Sequence, residues 1–129
     1  MSNRVIRFRA WSPDKKRWIN IVATLDSGGI SQFNNKDGLD WRLELQNTKY
    51  VIWSQWTGLT DRNGVEIYEG DIVKDWEDID SYRVVWDNYY ASFTLDRITM
   101  RNDTEASLYD AQFSLEVIGN TYENPELVR

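Results

Sequence analysis

The sequence contains no cysteine and no histidine. Without cysteine there is no disulfide, no thiolate nucleophile and no Cys-ligated metal centre. Without histidine, both the commonest acid–base catalyst near neutral pH and the commonest zinc ligand are missing. No stretch approaches the roughly 18 consecutive apolar residues that a membrane span requires. Basic side chains are the scarcer charge, 15 against 21 acids for a net charge of −6, which argues against coating of DNA by phosphate neutralisation. Neither a phosphate-binding glycine loop nor a G-x-S-x-G nucleophile turn is present, and the pair Gly28-Gly29 supplies neither spacing. The chain opens Met-Ser-Asn-Arg and passes directly into an alternating pattern. With no apolar leader core in that opening, the expected compartment is a reduced cytoplasm.

What the chain has in abundance is aromatic area. Seven Trp, seven Tyr and four Phe occur among 129 residues, and large rings compensate for the limited burial that a small domain achieves. The apolar pattern has period two nearly throughout, the mark of half-buried strands. Ile6, Phe8 and Ala10 alternate with Arg7 and Arg9; Ser12-Pro13-Asp14-Lys15 makes a turn; Trp18, Ile19, Ile21 and Val22 read as the next strand. Asn34 to Gly38 is a polar turn before an alternating stretch, Leu39 to Leu45. Tyr50–Trp56, Ile67–Val73, Arg83–Trp86, Ala91–Leu95 and Phe113–Ile118 read as further strands. Asn63-Gly64 is expected to form a primed turn, with positive φ at both residues. Gly119-Asn120 is expected to end the last strand, and Asn124-Pro125 to discourage further regular structure. Residues 99–110 are polar and weakly patterned, suited to a long loop or a short helix. The fold class is therefore mainly β, with a β-rich α+β arrangement left open.

Charge is unevenly distributed. Residues 1–17 carry Arg4, Arg7, Arg9, Lys15, Lys16 and Arg17 against Asp14 alone. Residues 66–80 carry Glu66, Glu69, Asp71, Asp75, Glu77, Asp78 and Asp80 against Lys74 alone. Such a split can pair within or between subunits, or steer a charged partner. As a metal loop the acidic run has the wrong spacing: counted from Asp75, the sixth and twelfth positions hold Asp80 and Trp86, where an EF-hand needs Gly and Glu. A hydrolase built from two carboxylates is compatible with the composition, but the separation it needs is not encoded in the linear sequence. The glycines at 58, 64, 70 and 119 lie between expected strands and read as turns and bulges, and Asp71 reads as a turn cap.

Four blocks resemble the YopX-like family of small proteins carried by bacteriophages and prophages. They are Phe8-Arg9-Ala10-Trp11; the long run Gln55 to Val73, Q-W-T-G-L-T-D-R-N-G-V-E-I-Y-E-G-D-I-V; Val84-Val85-Trp86-Asp87; and Glu116 to Leu127, E-V-I-G-N-T-Y-E-N-P-E-L. They span almost the whole chain in the family's order. Trp56 stands where the pattern has Tyr, and about Ile19 to Lys49 follows no family pattern. The resemblance implies an N-terminal β-rich portion, residues 1–53, followed by a small SH3-like barrel, residues 54–129. It brings no catalytic residues and no cofactor with it.

On that frame Trp76, Trp86, Tyr89 and Tyr90 fall around the barrel loops beside the acidic run. Trp86 is expected to pack in the core and the two tyrosines to be exposed. The candidate interaction surface comprises Arg7, Arg9, Asp75, Trp76, Glu77, Asp78, Asp80, Tyr89 and Tyr90. Rings with acids can dock a proline-rich peptide with basic flanks. The expected function is a non-enzymatic protein-interaction module that self-associates or binds a host or phage protein, with no metal, cofactor or membrane. The alternatives are a nucleic-acid-associated factor using Arg7, Arg9, Lys15, Lys16 and Arg17, a mimic of nucleic acid built on the acidic run, and a carboxylate hydrolase.

Overall fold

The computed structural model describes residues 5–26, 29–34, 46, 48–77, 80–98 and 106–128. The expected turn at 34–38 (beyond Asn34), the stretch Leu39–Leu45, Asp78 and most of the 99–110 segment lie outside the described residues. The mainly β expectation holds: the described residues form two antiparallel sheets, one of them a curled half-barrel, with almost no helix. The chain divides into Met1–Trp56 and Thr57–Arg129.

In the first unit, β1 (Ile6–Ser12), β2 (Arg17–Asp26), β3 (Gly29–Asn34) and the start of β4 (Ile52–Thr60) run in the order β3-β2-β1-β4. The β1–β2 register slips between Arg9 and Ala10, from Arg9↔Val22 to Ala10↔Ile19. A small core of Ala10 and Ile19, with Val51 against it, follows that bulge. The connecting turn is tied by Ser12. Its Oγ donates to Asp14 Oδ1 at 2.9 Å and accepts from the Lys15 N–H at 3.3 Å. The Ser12 hydroxyl foremost, with the backbone N–H of Lys49 behind it, holds the Asp14 carboxyl below its ordinary range.

In the second unit the end of β4 meets β5 (Glu66–Tyr68), after which β6 (Asp71–Asp75), β7 (Asp80–Asp87), β8 (Ser92–Arg97), β9 (Ala106–Ser107) and β10 (Leu115–Asn120) form a sheet ordered β10-β6-β7-β8-β9. A one-turn helix α1 (Leu108–Ala111) falls between β9 and β10. Ile67, Val73, Tyr82, Val84, Leu95, Leu108 and Leu115 make the core, with Leu59, Phe93 and Val117 packed against it.

Several expected boundaries move. β10 runs through Gly119 and Asn120 instead of ending before them, because a register shift after Val117 lets Gly119 and Asn120 pair with Ile72 and Asp71. Pro125–Val128 forms a 3-10 turn, since proline's missing N–H is no loss at a helix start. The primed turn at Asn63-Gly64 is replaced by another geometry. Gly64 alone has positive φ, at 80°. Its N–H donates to Asp61 O, and Asp61 N–H donates to Val65 O. That is a type I turn followed by a glycine bulge.

The β7–β8 turn ends at Ala91 with φ 51°, a left-handed conformation that costs an L-residue about 1–2 kcal/mol. Glycine escapes that cost but loses more chain entropy on folding. Ala91→Gly is therefore expected to stabilise the protein by about 0.5–1 kcal/mol, read as a raised urea midpoint with unchanged slope.

Candidate functional site

The second unit begins with commitments made by its acids. Asp61 uses both carboxylate oxygens. Oδ1 accepts from the N–H groups of Asn63 (2.8 Å) and Val65 (2.9 Å), and Oδ2 from that of Val117 (2.9 Å). Buried Asp71 accepts from the Tyr68 N–H at 2.8 Å, which is the turn-capping role expected of it. Buried Asp75 accepts from the Glu77 N–H and from Ser114 Oγ, each at 2.9 Å. Asp80 is paired with Arg97 Nη1 at 3.0 Å. Of the acidic candidates at the β6–β7 turn, Glu77 is exposed and Asp78 lies outside the described residues. Charge counting along 66–80 therefore overstates the acidic surface, because the inward acids serve as backbone acceptors.

Trp76 sits at the same turn, 46% exposed. Its ring carries Lys74 Nζ at 4.1 Å and Arg62 at 5.9 Å, and its Nε1 donates to Glu116 at 3.3 Å. Cations thus lie over the face of this ring, where the indole prefers them, and a carboxylate meets its N–H edge.

Arg7 and Arg9 are half-buried on one face of the first unit, as alternation predicts. The Arg7 guanidinium lies 4.9 Å over Trp56 and that of Arg9 lies 4.1 Å over Trp18, while Arg9 Nε donates to Ser54 Oγ at 3.2 Å. The cross-strand register explains the last contact, since Arg9 stands opposite Ser54.

The rings of the β7–β8 hairpin are arranged differently. Alternation puts Tyr82, Val84 and Trp86 on one face of β7, opposite Arg97, Leu95 and Phe93 of β8. Tyr82, Val84 and Leu95 are buried, whereas Trp86 is 42% exposed. This corrects the expectation that Trp86 packs in the core: its face is the core face, but the strand outruns what covers it. Trp86 and Phe93 meet edge to face at 5.0 Å. Beyond them Tyr89 and Tyr90, 87% and 70% exposed, pack edge to face at 4.8 Å. Asp87 Oδ1 accepts from the Tyr89 N–H at 2.8 Å and holds the turn that presents them.

Tyr89 and Tyr90 stand at the opposite end of β7 from Asp75, Trp76, Glu77 and Asp80. Eight strand residues separate the two groups by roughly 23 Å, so the structure does not bring the acids and the tyrosines together. It places two ring pairs, Trp86 with Phe93 and Tyr89 with Tyr90, on one hairpin. Sequence reasoning passed over Phe93, although its place opposite Trp86 was implicit in the hairpin.

Among the described residues, no group of three or more Asp or Glu side chains is placed to hold a metal ion. Among them, too, no helix is long and apolar enough to cross a membrane.

A family model described as YopX protein matches residues 7–129. Among solved structures, the chain is similar to the crystal structure of protein EF1440 from Enterococcus faecalis. The identity is 20% and the TM-score 0.58, over 96% of this chain and 98% of that one. At this identity the likeness is one of fold. No curated protein matches the chain.

Proposed function

The chain belongs to the YopX protein family, and from that footing we propose that it is a non-enzymatic interaction module of a phage or prophage. It works in the cytoplasm of the bacterial host and binds a host or phage protein or a second copy of itself. In this reading the second unit is a small SH3-like barrel and the β7–β8 hairpin is its contact surface. The observation that carries it is the exposure of Trp86, Tyr89 and Tyr90 on one hairpin held by Asp87. Exposed Trp and Tyr are the side chains that most often dominate binding energy. They bury large area at low entropic cost, and the tyrosine hydroxyl can still bond at the rim.

The non-enzymatic half of the reading is supported by the carboxylates. Asp61, Asp71 and Asp75 are spent on backbone and hydroxyl donors, and so are poorly suited to proton transfer with a substrate. Arg7 and Arg9 are stacked on Trp56 and Trp18, which suits shaping the first unit's surface.

The test is capture from the bacterial host with the tagged full chain, with and without nuclease, beside the triple variant Trp86→Ser, Tyr89→Ser, Tyr90→Ser. Companions that survive nuclease should fall roughly tenfold or more with the variant, while its circular dichroism stays that of the parent. Self-association is followed by sedimentation of both proteins. Equal recovery by parent and variant would sink the hairpin as the contact. Companions that vanish with nuclease would place nucleic-acid association, through the basic N-terminal strand, ahead of it.

A further inference from the structure

Asn63 and Gly64 form the tip of the β4–β5 hairpin, and both are exposed. A Cβ built on Gly64 would have no atom within 4 Å, so no neighbouring side chain crowds the glycine that follows Asn63. Three hydrogen bonds restrain the pair. The Gly64 N–H donates to Asp61 O at 3.1 Å. The Asn63 N–H donates to Asp61 Oδ1 at 2.8 Å, and Asn63 Nδ2 donates to Glu116 Oε2 at 3.2 Å. From this arrangement we infer that Asn63-Gly64 is a self-modification site: its deamidation is held back by the hairpin's own hydrogen bonds, and its product weakens the hairpin's grip on β10.

The reaction needs only water. The Gly64 nitrogen, its proton passed to solvent base, attacks Asn63 Cγ; a C–N bond forms and the bond to Nδ2 breaks. The Nδ2 group leaves as ammonia with a proton taken from water. The succinimide ring then adds one water across either carbonyl and opens to aspartate or isoaspartate. Attack requires the Gly64 N–H to leave Asp61 O, and departure requires the Asn63 amide to leave Glu116. Both restraints are lost together when the hairpin opens.

The product carries one more negative charge, and it carries that charge against Glu116, where an amide donor stood before. Repulsion replaces a hydrogen bond. Isoaspartate also lengthens the main chain by one carbon between residues 63 and 64, which displaces the Val65 N–H from the Asp61 carboxylate that also serves Asn63 and Val117. The change is one-way, and it falls on the contacts that join this hairpin to β10.

The test uses the full chain in mildly alkaline buffer, native and unfolded in urea, beside Glu116→Ala. Peptide mapping should find residue 63 as the dominant converted site. Its rate should be roughly tenfold higher in urea than in the native state, as expected for loss of these bonds, with Glu116→Ala between the two. The converted fraction, separated by its added charge, should melt below the parent. Equal rates in the native and unfolded chain, an intact Asn63 throughout, or a converted fraction that melts with the parent would overturn the inference.

Discussion

Asp61→Ala is expected to destabilise the second unit by about 3–5 kcal/mol, as the sum of charge-assisted bonds lost and a donor left stranded. Three N–H groups share this carboxylate, and they do not suffer equally. Those of Asn63 and Val65 belong to exposed residues, so water can replace their acceptor. Val117 is half-buried against the core, and its N–H loses its acceptor with less access to solvent. Against a typical stability of about 5–15 kcal/mol, the loss brings the unit near its folding threshold. Asp61→Asn should cost nearly as much. Its single oxygen can serve the turn or Val117, and its amide group would then face an N–H donor. Asp87→Ala is the control: its carboxylate serves the exposed Tyr89 and Tyr90 N–H groups, and its removal should cost about 1 kcal/mol or less. Urea titrations of the three variants decide the matter, and equal midpoints for Asp61→Ala and Asp87→Ala would refute the ranking.

The second large effect is expected at Gly70. Its φ is 87°, and a Cβ there would stand 2.8 Å from Cε2 of Tyr122. The same residue donates to Val84 O and accepts from Thr121 N–H, each at 2.8 Å, so the backbone is held from both sides. Gly70→Ala thus combines a left-handed alanine, about 1–2 kcal/mol, with overpacking of about 1–3 kcal/mol. The expected total is about 2–5 kcal/mol. A double-mutant cycle separates the parts: in a Tyr122→Ala background the same change should cost only the conformational share. If the cost is unchanged in that background, the ring is not what excludes a side chain.

Most strands were legible because alternation is a local property that the sheet faces enforce. Turn chemistry was half legible. Asn63-Gly64 marked a reversal, but not that the Asp61 carboxylate would take two N–H groups and select a type I turn with a bulge. The D-x-N-G spacing was the available signal, since an Asp commonly accepts from the N–H two residues on. Trp86 shows a different limit. Period two assigns a side chain to a face, yet whether anything lies over that face at the strand's end depends on neighbours distant in sequence. The acidic run failed for the converse reason: Asp75 looks like a surface charge until the Glu77 N–H and Ser114 hydroxyl it accepts from are known. Tyr89 and Tyr90 were legible as exposed because the turn that carries them is short and polar. Gly119 was read as a stop. Its role is close approach, since a Cβ there would stand 2.6 Å from Asn124 Oδ1, the atom that accepts from the Asn120 N–H.

The bonds from the Asp61 hairpin to β10 have a consequence for the protein in a crowded solution. β10 is the last strand on its side of the sheet, and a bare last strand offers unpaired backbone groups to any other chain that can extend alongside it. Here the Val117 N–H is taken by a carboxylate and Leu115 O by the Arg62 N–H at 2.9 Å. Ile118 is left out of the ladder at the register shift. A foreign strand approaching this side meets occupied groups, an irregular backbone and a charge. The hairpin that fastens β10 thus also guards it against edge-to-edge aggregation.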